Sequence, residues 1–246
     1  MILSLVGRDG NGQNLTLATA FVHVENKDNI AWFFIHCINA GINLVNVAVM
    51  CDRGRLQDAV KLIWLQTGVS IQLRFCTIHI LRNLKRNFGF SGSEFENAIW
   101  KLQSAGTEVD YKAALTTIRT TFGNDVSRYI EDIHPITWTL FANMPMESGD
   151  ATAGSSNDTN SSLNSITSMR NPENNDPPML PCPLFGWRTT KFVESDNMTM
   201  LVNGMRNATP LEALKILAKA AMNKFSMRQD QLEKWTAQHL TVTPHA

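Results

Sequence analysis

The apolar positions of the first forty residues change from a strand-like to a helix-like spacing. Ile2 to Val6 and Leu15 to Val24 are predicted to form strands, and the polar, glycine-containing residues 8–12 between them favour a hairpin turn. The spacing then predicts a helix from Asn26 to Ala40, with Asn26 or Asp28 as its cap. The chain is therefore expected to open with two strands and a helix.

The next fifty residues repeat the alternation with more apolar strands. Leu44 to Met50 is almost entirely apolar, as is typical of a strand that is covered on both faces, and Ile71 to Phe75 is predicted to be a further strand. Between them, apolar residues recur at helical spacing until Gly68. The predicted order is strand, strand, helix, strand, helix, strand, which indicates an α/β core.

Helical spacing continues to about Trp138. The predicted helices are Ile80 to Phe88, Ser93 to Gln103, and Val109 to Phe122 with Thr107 as its cap. Residues 147–183 are rich in Ser, Asn, Asp, Thr and Pro and have few apolar residues, so we expect them to be disordered.

Two final helices are predicted, one from about Phe192 to Asn207 and one that begins at the capping sequence Thr209-Pro210-Leu211-Glu212 and ends near Gln238. The predicted organisation is an α/β core (1–90), a helical insertion (91–146), a disordered insert (147–184) and C-terminal helices that complete the core (185–246).

Composition narrows the choice of partners and compartments. Lys plus Arg and Asp plus Glu number 22 each, so any nucleic-acid binding must come from local basic patches. The four cysteines show no paired spacing, which favours a reduced intracellular protein. The start lacks the features of a signal peptide, and no apolar run reaches the roughly 18 residues of a membrane span, so we expect neither secretion nor membrane insertion.

Two carboxylates are candidates for metal binding. Asp52 directly follows a predicted buried strand, and ligands gather at the carboxyl ends of strands in open α/β sheets. Glu194 lies one turn before Met198, on the face that carries the apolar stripe of its predicted helix, where a carboxylate is costly unless it is paired or binds a metal. The structural alternatives are a loop or helix-capping role for Asp52, and a first-turn Glu at a helix edge for Glu194.

A further group of candidates lies where the strand at 71–75 passes into a helix. Cys76 and His79 have a spacing that could supply two zinc ligands, but structural zinc needs four and no second pair is evident, so no structural zinc is expected. With His79, the basic residues Arg82, Lys85 and Arg86 could lie along DNA phosphates. The alternative is an ordinary solvated helix face. Asp9 is interpreted as a turn residue.

Taken in order, these motifs resemble the catalytic domain of Mutator-like (MULE/MuDR) DNA transposases. The similar stretches are residues 7–13, 18–26, Trp32-Phe33, Asp52-Arg53, Cys76-x-x-His79 with Asn83-Leu84, Trp138, residues 189–197 and residues 210–212. The resemblance thus covers most of the chain outside the polar insert.

The resemblance implies a ribonuclease-H-like mixed sheet with a helical insertion and C-terminal helices, and cut-and-paste DNA transposition of the DDE type by metal-dependent phosphoryl transfer. Asp52 would be the second catalytic Asp and Glu194 the catalytic Glu, both binding Mg²⁺ or Mn²⁺, while Cys76 and His79 would form the family's C-x-x-H motif. The implied partner is DNA, as transposon ends and target. The implied localisation is nuclear, and homo-oligomerisation is left open.

Three departures from the family change what we expect of activity. The family's first catalytic Asp lies on a strand that would precede Ile2, so the sheet is expected to lack its first strand. Lys191 stands where the family usually has Asn. The DNA-binding module and zinc knuckle of many relatives are expected to be absent. We therefore expect an inactive partial transposase domain.

Two alternatives to the transposase domain stay open. One is a domesticated, transposase-derived DNA-binding or transcription-regulatory protein, similar to the far-red-response family. The other is an α/β domain of another family whose acidic residues are structural.

Overall fold

The computed structural model describes residues 1–8, 12–144, 176–184, 188–191, 193 and 204–238. Within these ranges the strands are β1 Ile2–Arg8, β2 Asn14–Phe21, β3 Ala48–Cys51 and β4 Gln72–Phe75, and the helices are α1 Lys27–Asn39, α2 Leu56–Thr67, α3 Thr77–Phe88, α4 Ser93–Gln103, α5 Glu108–Phe122, α6 Asn124–Glu131 and α7 Pro210–Ala237. The mixed α/β class predicted from the sequence is therefore confirmed. The contacts define two compact units, Met1–Glu25 with Thr190–Ala246, and Asn26–Thr189.

In the first unit, β1 and β2 form the predicted hairpin. They pair antiparallel from Ile2 opposite Phe21 to Arg8 opposite Asn14, and the register shifts between Leu5 and Val6 as in a β-bulge. The turn residue Asp9 lies outside the described residues.

The same unit contains the long helix α7, which begins where the sequence predicts. The Thr209 side chain accepts a hydrogen bond from the Glu212 backbone N–H, and the Glu212 carboxylate accepts one from the Thr209 N–H, so the capping box is complete. An apolar groove of about 410 Å³ lies between α7 and β2, with Leu17, Phe21 and Phe225 among its lining. Of the helix predicted at 192–207, residues 194–203 lie outside the described range, and Met205–Asn207 form a 3₁₀ turn.

In the second unit, β3 and β4 pair in parallel and α2 connects them. Ala48 lies opposite Gln72, and Cys51 opposite Phe75. The prediction of a strand over Leu44 to Met50 is only partly right, because Asn46 has a left-handed φ of 57° and the strand begins after it. All the described strands thus belong to two two-stranded sheets, one antiparallel and one parallel.

The core of this unit is completed by the helices that follow β4. The predicted α3, α4 and α5 are present, and the side chain of Thr107 caps α5 by accepting from the Asp110 N–H at 3.1 Å. A further helix, α6, was not predicted; it buries Val126 and Ile130. Trp138 is only 1% exposed.

Residues 176–184 have no regular secondary structure and are hydrogen-bonded to side chains of β4. Gln72 donates to the Pro178 carbonyl at 3.0 Å and accepts from the Leu180 N–H at 2.7 Å, while Arg74 donates to the Leu180 carbonyl at 2.5 Å. Cys182 is 1% exposed. The composition assigned these nine residues to the disordered insert, but they belong to the packed part of the chain.

No helix in the described ranges has both the length and the apolar character needed to cross a bilayer.

Candidate functional site

Asp52 lies exposed at the carboxyl end of β3, as the sequence predicts. The Asp52 side chain lies close to Gly54, because its Oδ1 is 3.7 Å from the position that a Cβ on Gly54 would occupy. Burial, followed by the nearby negative charge of Asp52, raises the pKa of the Cys51 thiol to about 12. The carboxylate is therefore the solvent-facing acid at this strand end, and the adjacent thiol stays protonated at neutral pH.

The carboxyl end of β4 is hydrogen-bonded to the carboxyl end of β3, next to Asp52. The backbone N–H of Cys76, which follows β4, donates to the carbonyl of Cys51 at 2.8 Å, and Thr77 N–H donates to the Arg188 carbonyl at 3.0 Å. Cys76 is the N-cap residue of α3. Parallel pairing thus brings Asp52 and the start of α3 to one edge of the sheet.

The Cys76 and His79 pair lies in the first turn of α3. Cys76 is 1% exposed and His79 is half-buried, and the His79 N–H donates to the Cys76 carbonyl at 3.0 Å. No group of three or more His, Cys, Asp and Glu side chains suited to a metal ion occurs in the described part of the chain.

Helix α3 has one buried face and one exposed, basic face. Thr77, Ile80, Leu81 and Leu84 are buried. Arg82 and Arg86 lie one turn apart and are exposed, and Arg86 donates to the Asn83 side chain at 3.1 Å.

Lys85 is engaged within the protein. It forms an ion pair with Glu96 of α4, with about a third of its side chain exposed. We therefore expect Arg86, which is exposed, to contribute more to anion binding than Lys85 does.

Arg53, next to Asp52, has a contact that sequence reasoning missed. Its Nη1 donates to the Tyr129 hydroxyl at 3.2 Å, and its Cζ lies 5.4 Å from the centre of the Tyr129 ring. That ring in turn meets Phe88 edge-on, with 5.8 Å between centroids. The two partners are 76 residues apart in sequence, so no local pattern could have indicated the pair.

The second candidate carboxylate, Glu194, lies outside the described residues. Lys191, which stands where the resembled family usually has Asn, is exposed. The described residues therefore locate Asp52, Cys76, His79 and the basic helix, but not the position of Glu194.

The exposed Asp52 carboxylate is suited to binding a divalent cation. Mg²⁺ is often held by one or two carboxylates together with water and substrate phosphate oxygens, and Asp52 is an exposed carboxylate of that kind. The residues described around it would leave such an ion dependent on water and phosphate for its remaining ligands.

The site thus combines an exposed acid at a strand end with a basic helix that starts at the neighbouring strand. Comparisons with protein-family models, with curated proteins and with solved structures give no match. The function is therefore inferred from the residues themselves.

Proposed function

We propose that this chain is a partial DDE-type DNA transposase domain of the Mutator-like kind, inactive in strand cleavage by itself, which binds DNA phosphates across the edge where β3 and β4 end. Asp52 would hold a divalent cation against the DNA. Arg82 and Arg86 would neutralise neighbouring phosphates.

The observation that carries the proposal is the bond between the two strand ends. Because Cys76 N–H donates to the Cys51 carbonyl at 2.8 Å, the residue before Asp52 is fixed to the residue that caps the basic helix α3. An exposed acid thus lies beside the start of the helix that carries the exposed Arg82 and Arg86. Phosphoryl-transfer sites use both kinds of group, acids to bind metal and cations to bind phosphate.

The proposed fold is ribonuclease-H-like. The chain forms one antiparallel strand pair, β1 with β2, and one parallel pair, β3 with β4, in two separate sheets, and a ribonuclease-H-like sheet contains both kinds of pairing. The order of elements, with a helix between β2 and β3 and another between β3 and β4, also agrees with the resemblance. These features support the fold assignment together with the motifs at Asp52 and Cys76.

When bound at such a site, Mg²⁺ or Mn²⁺ would act as a Lewis acid on a phosphate oxygen. The protein's own contribution would be to place charge. The Asp52 carboxylate would repel DNA in the absence of the cation, and the exposed arginines of α3 would attract it at all times.

Because only the effect of Asp52 depends on the cation, the proposal can be tested by measuring the affinity for a fluorescent 20-bp DNA duplex with and without Mn²⁺. The measurement is made at low salt, where weak non-specific binding is measurable. The ratio of the dissociation constants with and without Mn²⁺, at constant ionic strength, is compared for the wild type and Asp52→Asn. We expect the ratio to favour Mn²⁺ about fivefold more in the wild type, equivalent to a coupling of about 1 kcal/mol. The matched control is Asp58→Asn, because Asp58 is an exposed acid in the first turn of α2.

Three outcomes separate the alternatives. A wild-type-like ratio for Asp58→Asn and a reduced ratio for Asp52→Asn would support the proposal. DNA binding that ignores Mn²⁺ in every variant would favour a domesticated, transposase-derived DNA-binding protein. The absence of DNA binding by the wild type would contradict both and leave a structural role for the acids.

A further inference from the structure

The Arg53 guanidinium is held in place by an aromatic side chain from a distant helix. Tyr129 supplies both a hydroxyl acceptor 3.2 Å from Nη1 and a ring 5.4 Å below Cζ. A cation over an aromatic face loses part of its hydration and much of its rotamer freedom. Arg53 is half-buried, so both effects apply.

Tyr129 is itself fixed by its surroundings. It lies on α6, which is anchored by the buried Val126 and Ile130 on either side of it in sequence. Its ring meets Phe88 at 79°, and Phe88 is the last residue of α3. The chain at the end of β3 is thus connected to both ends of α3. Cys51 bonds to Cys76 at the start of the helix, and Arg53 contacts Phe88 at its end through Tyr129.

The contact with Tyr129 leaves most N–H donors of the Arg53 guanidinium available to bind a ligand. Arginine has five N–H donors, and in the described structure one of them is used, by Tyr129. Arg53 forms no ion pair with a carboxylate among the described residues, in contrast to Arg119, which pairs with Glu131. A fixed guanidinium with spare donors and no internal counter-ion is suited to bidentate binding of a phosphate.

We propose that Arg53 binds a phosphate of the DNA strand that passes Asp52, and that Tyr129 is the residue that positions it. The inference rests on the proposed function and adds a named phosphate contact to it. Neither residue was among the DNA-binding candidates indicated by the sequence, which all lie on α3.

The test measures duplex DNA affinity over a range of salt concentrations. Arg53→Gln should weaken binding about tenfold and reduce the slope of log K against log salt by about one, because one phosphate contact is lost. Arg53→Lys keeps the charge, so the slope should stay near the wild-type value while affinity falls severalfold. Tyr129→Phe keeps the ring and loses the hydroxyl, and should weaken binding about two- to fourfold with an unchanged slope.

The matched control is Arg128→Gln. Arg128 precedes Tyr129 on α6, has 72% of its side chain exposed and pairs only weakly with Asp125 at 3.5 Å. Removing its charge should change the affinity less than twofold if the contact is specific to Arg53. Thermal unfolding of each variant verifies that it is folded at the assay temperature, and Arg53→Ala replaces Arg53→Gln if the latter is not.

The two levels of the proposal fail in different ways. Wild-type protein that binds DNA, with Arg53→Gln equal to the wild type or to Arg128→Gln, would overturn the phosphate contact and leave the proposed function standing. A change in affinity for Arg53→Gln and Tyr129→Phe with no change of slope for Arg53→Gln would show a purely structural contact and would also overturn the proposal. Wild-type protein that does not bind DNA would overturn both.

Discussion

Arg74 offers the sharpest prediction about stability, because it is a charged side chain with no exposed surface. Its Nε donates to Asn143 Oδ1 at 2.7 Å, its Nη1 to the Leu73 carbonyl at 2.8 Å and its Nη2 to the Leu180 carbonyl at 2.5 Å. Burial lowers the pKa of this guanidinium from its ordinary value, although an arginine still carries its charge at neutral pH.

Arg74→Met removes the donors and keeps the approximate length of the side chain. Asn143 Oδ1 would retain the Cys182 N–H at 3.2 Å, but the two carbonyls would lose this donor. Each buried acceptor left without a partner costs about 1–3 kcal/mol, and removal of a desolvated charge returns part of that. We therefore expect a net loss of about 2–4 kcal/mol in the free energy of unfolding.

Urea unfolding followed by tryptophan fluorescence measures this loss, since five of the six tryptophans belong to the sequence of the unit that contains Arg74. With a slope of about 2.5 kcal/mol per molar urea, the midpoint should fall by roughly 1 M. Hydrogen exchange should also show lost protection of the Leu180 and Cys182 amides, which bond to Gln72 and Asn143 beside Arg74.

Arg119→Met is the matched control, because Arg119 pairs with Glu131 at the surface and has 46% of its side chain exposed. It should cost less than about 1 kcal/mol. Wild-type stability and wild-type amide protection in Arg74→Met would show that the segment 176–184 does not depend on this cation, contrary to the prediction.

Three further predictions concern single features. Burial, and then the charge of Glu131, raises the pKa of Tyr111 from 10.0 to about 12, so Tyr111 ionises at lower pH in the unfolded chain than in the folded one. The contribution of Tyr111 to stability is therefore complete below pH 10 and is lost as the pH rises towards 12. A titration of tyrosinate absorbance should lose its late step in Tyr111→Phe. Thr209→Ala removes the capping box and should cost about 1 kcal/mol, which denaturation followed by circular dichroism would detect. Ala221→Leu partly fills the groove between β2 and α7 and should raise the free energy of unfolding by about 1 kcal/mol, whereas Ala237→Leu at the exposed end of the helix should leave it unchanged.

The order of strands and helices up to α5 could be predicted because each element carries its own local signal. Asn26 and Thr107 cap helices as predicted, and Gly68 has the left-handed φ of 70° that ends α2. The late start of this strand, at Ala48 and not at Leu44, was missed because the left-handed turn falls on Asn46, a residue that also occurs in strands.

Contacts between distant residues were not predictable in the same way. The composition of residues 176–184 is that of a disordered segment, and its order comes from Gln72 and Arg74, more than a hundred residues earlier. For the site, the position of Asp52 followed from the strand before it, whereas the Arg53–Tyr129 contact depends on the packing of α6 against α3. Sequence patterns report the neighbours along the chain, and these partners are neighbours only in the fold.

The proposed role of Asp52 is to hold a divalent cation against DNA. Paramagnetic broadening of backbone amide resonances by Mn²⁺, recorded on the complex with duplex DNA, tests it most directly. We expect the amides of Cys51, Asp52 and Gly54 to broaden first and Asp52→Asn to abolish this effect. Broadening that leaves these residues sharp and centres on other exposed acids, such as Asp58 or Asp125, would contradict it.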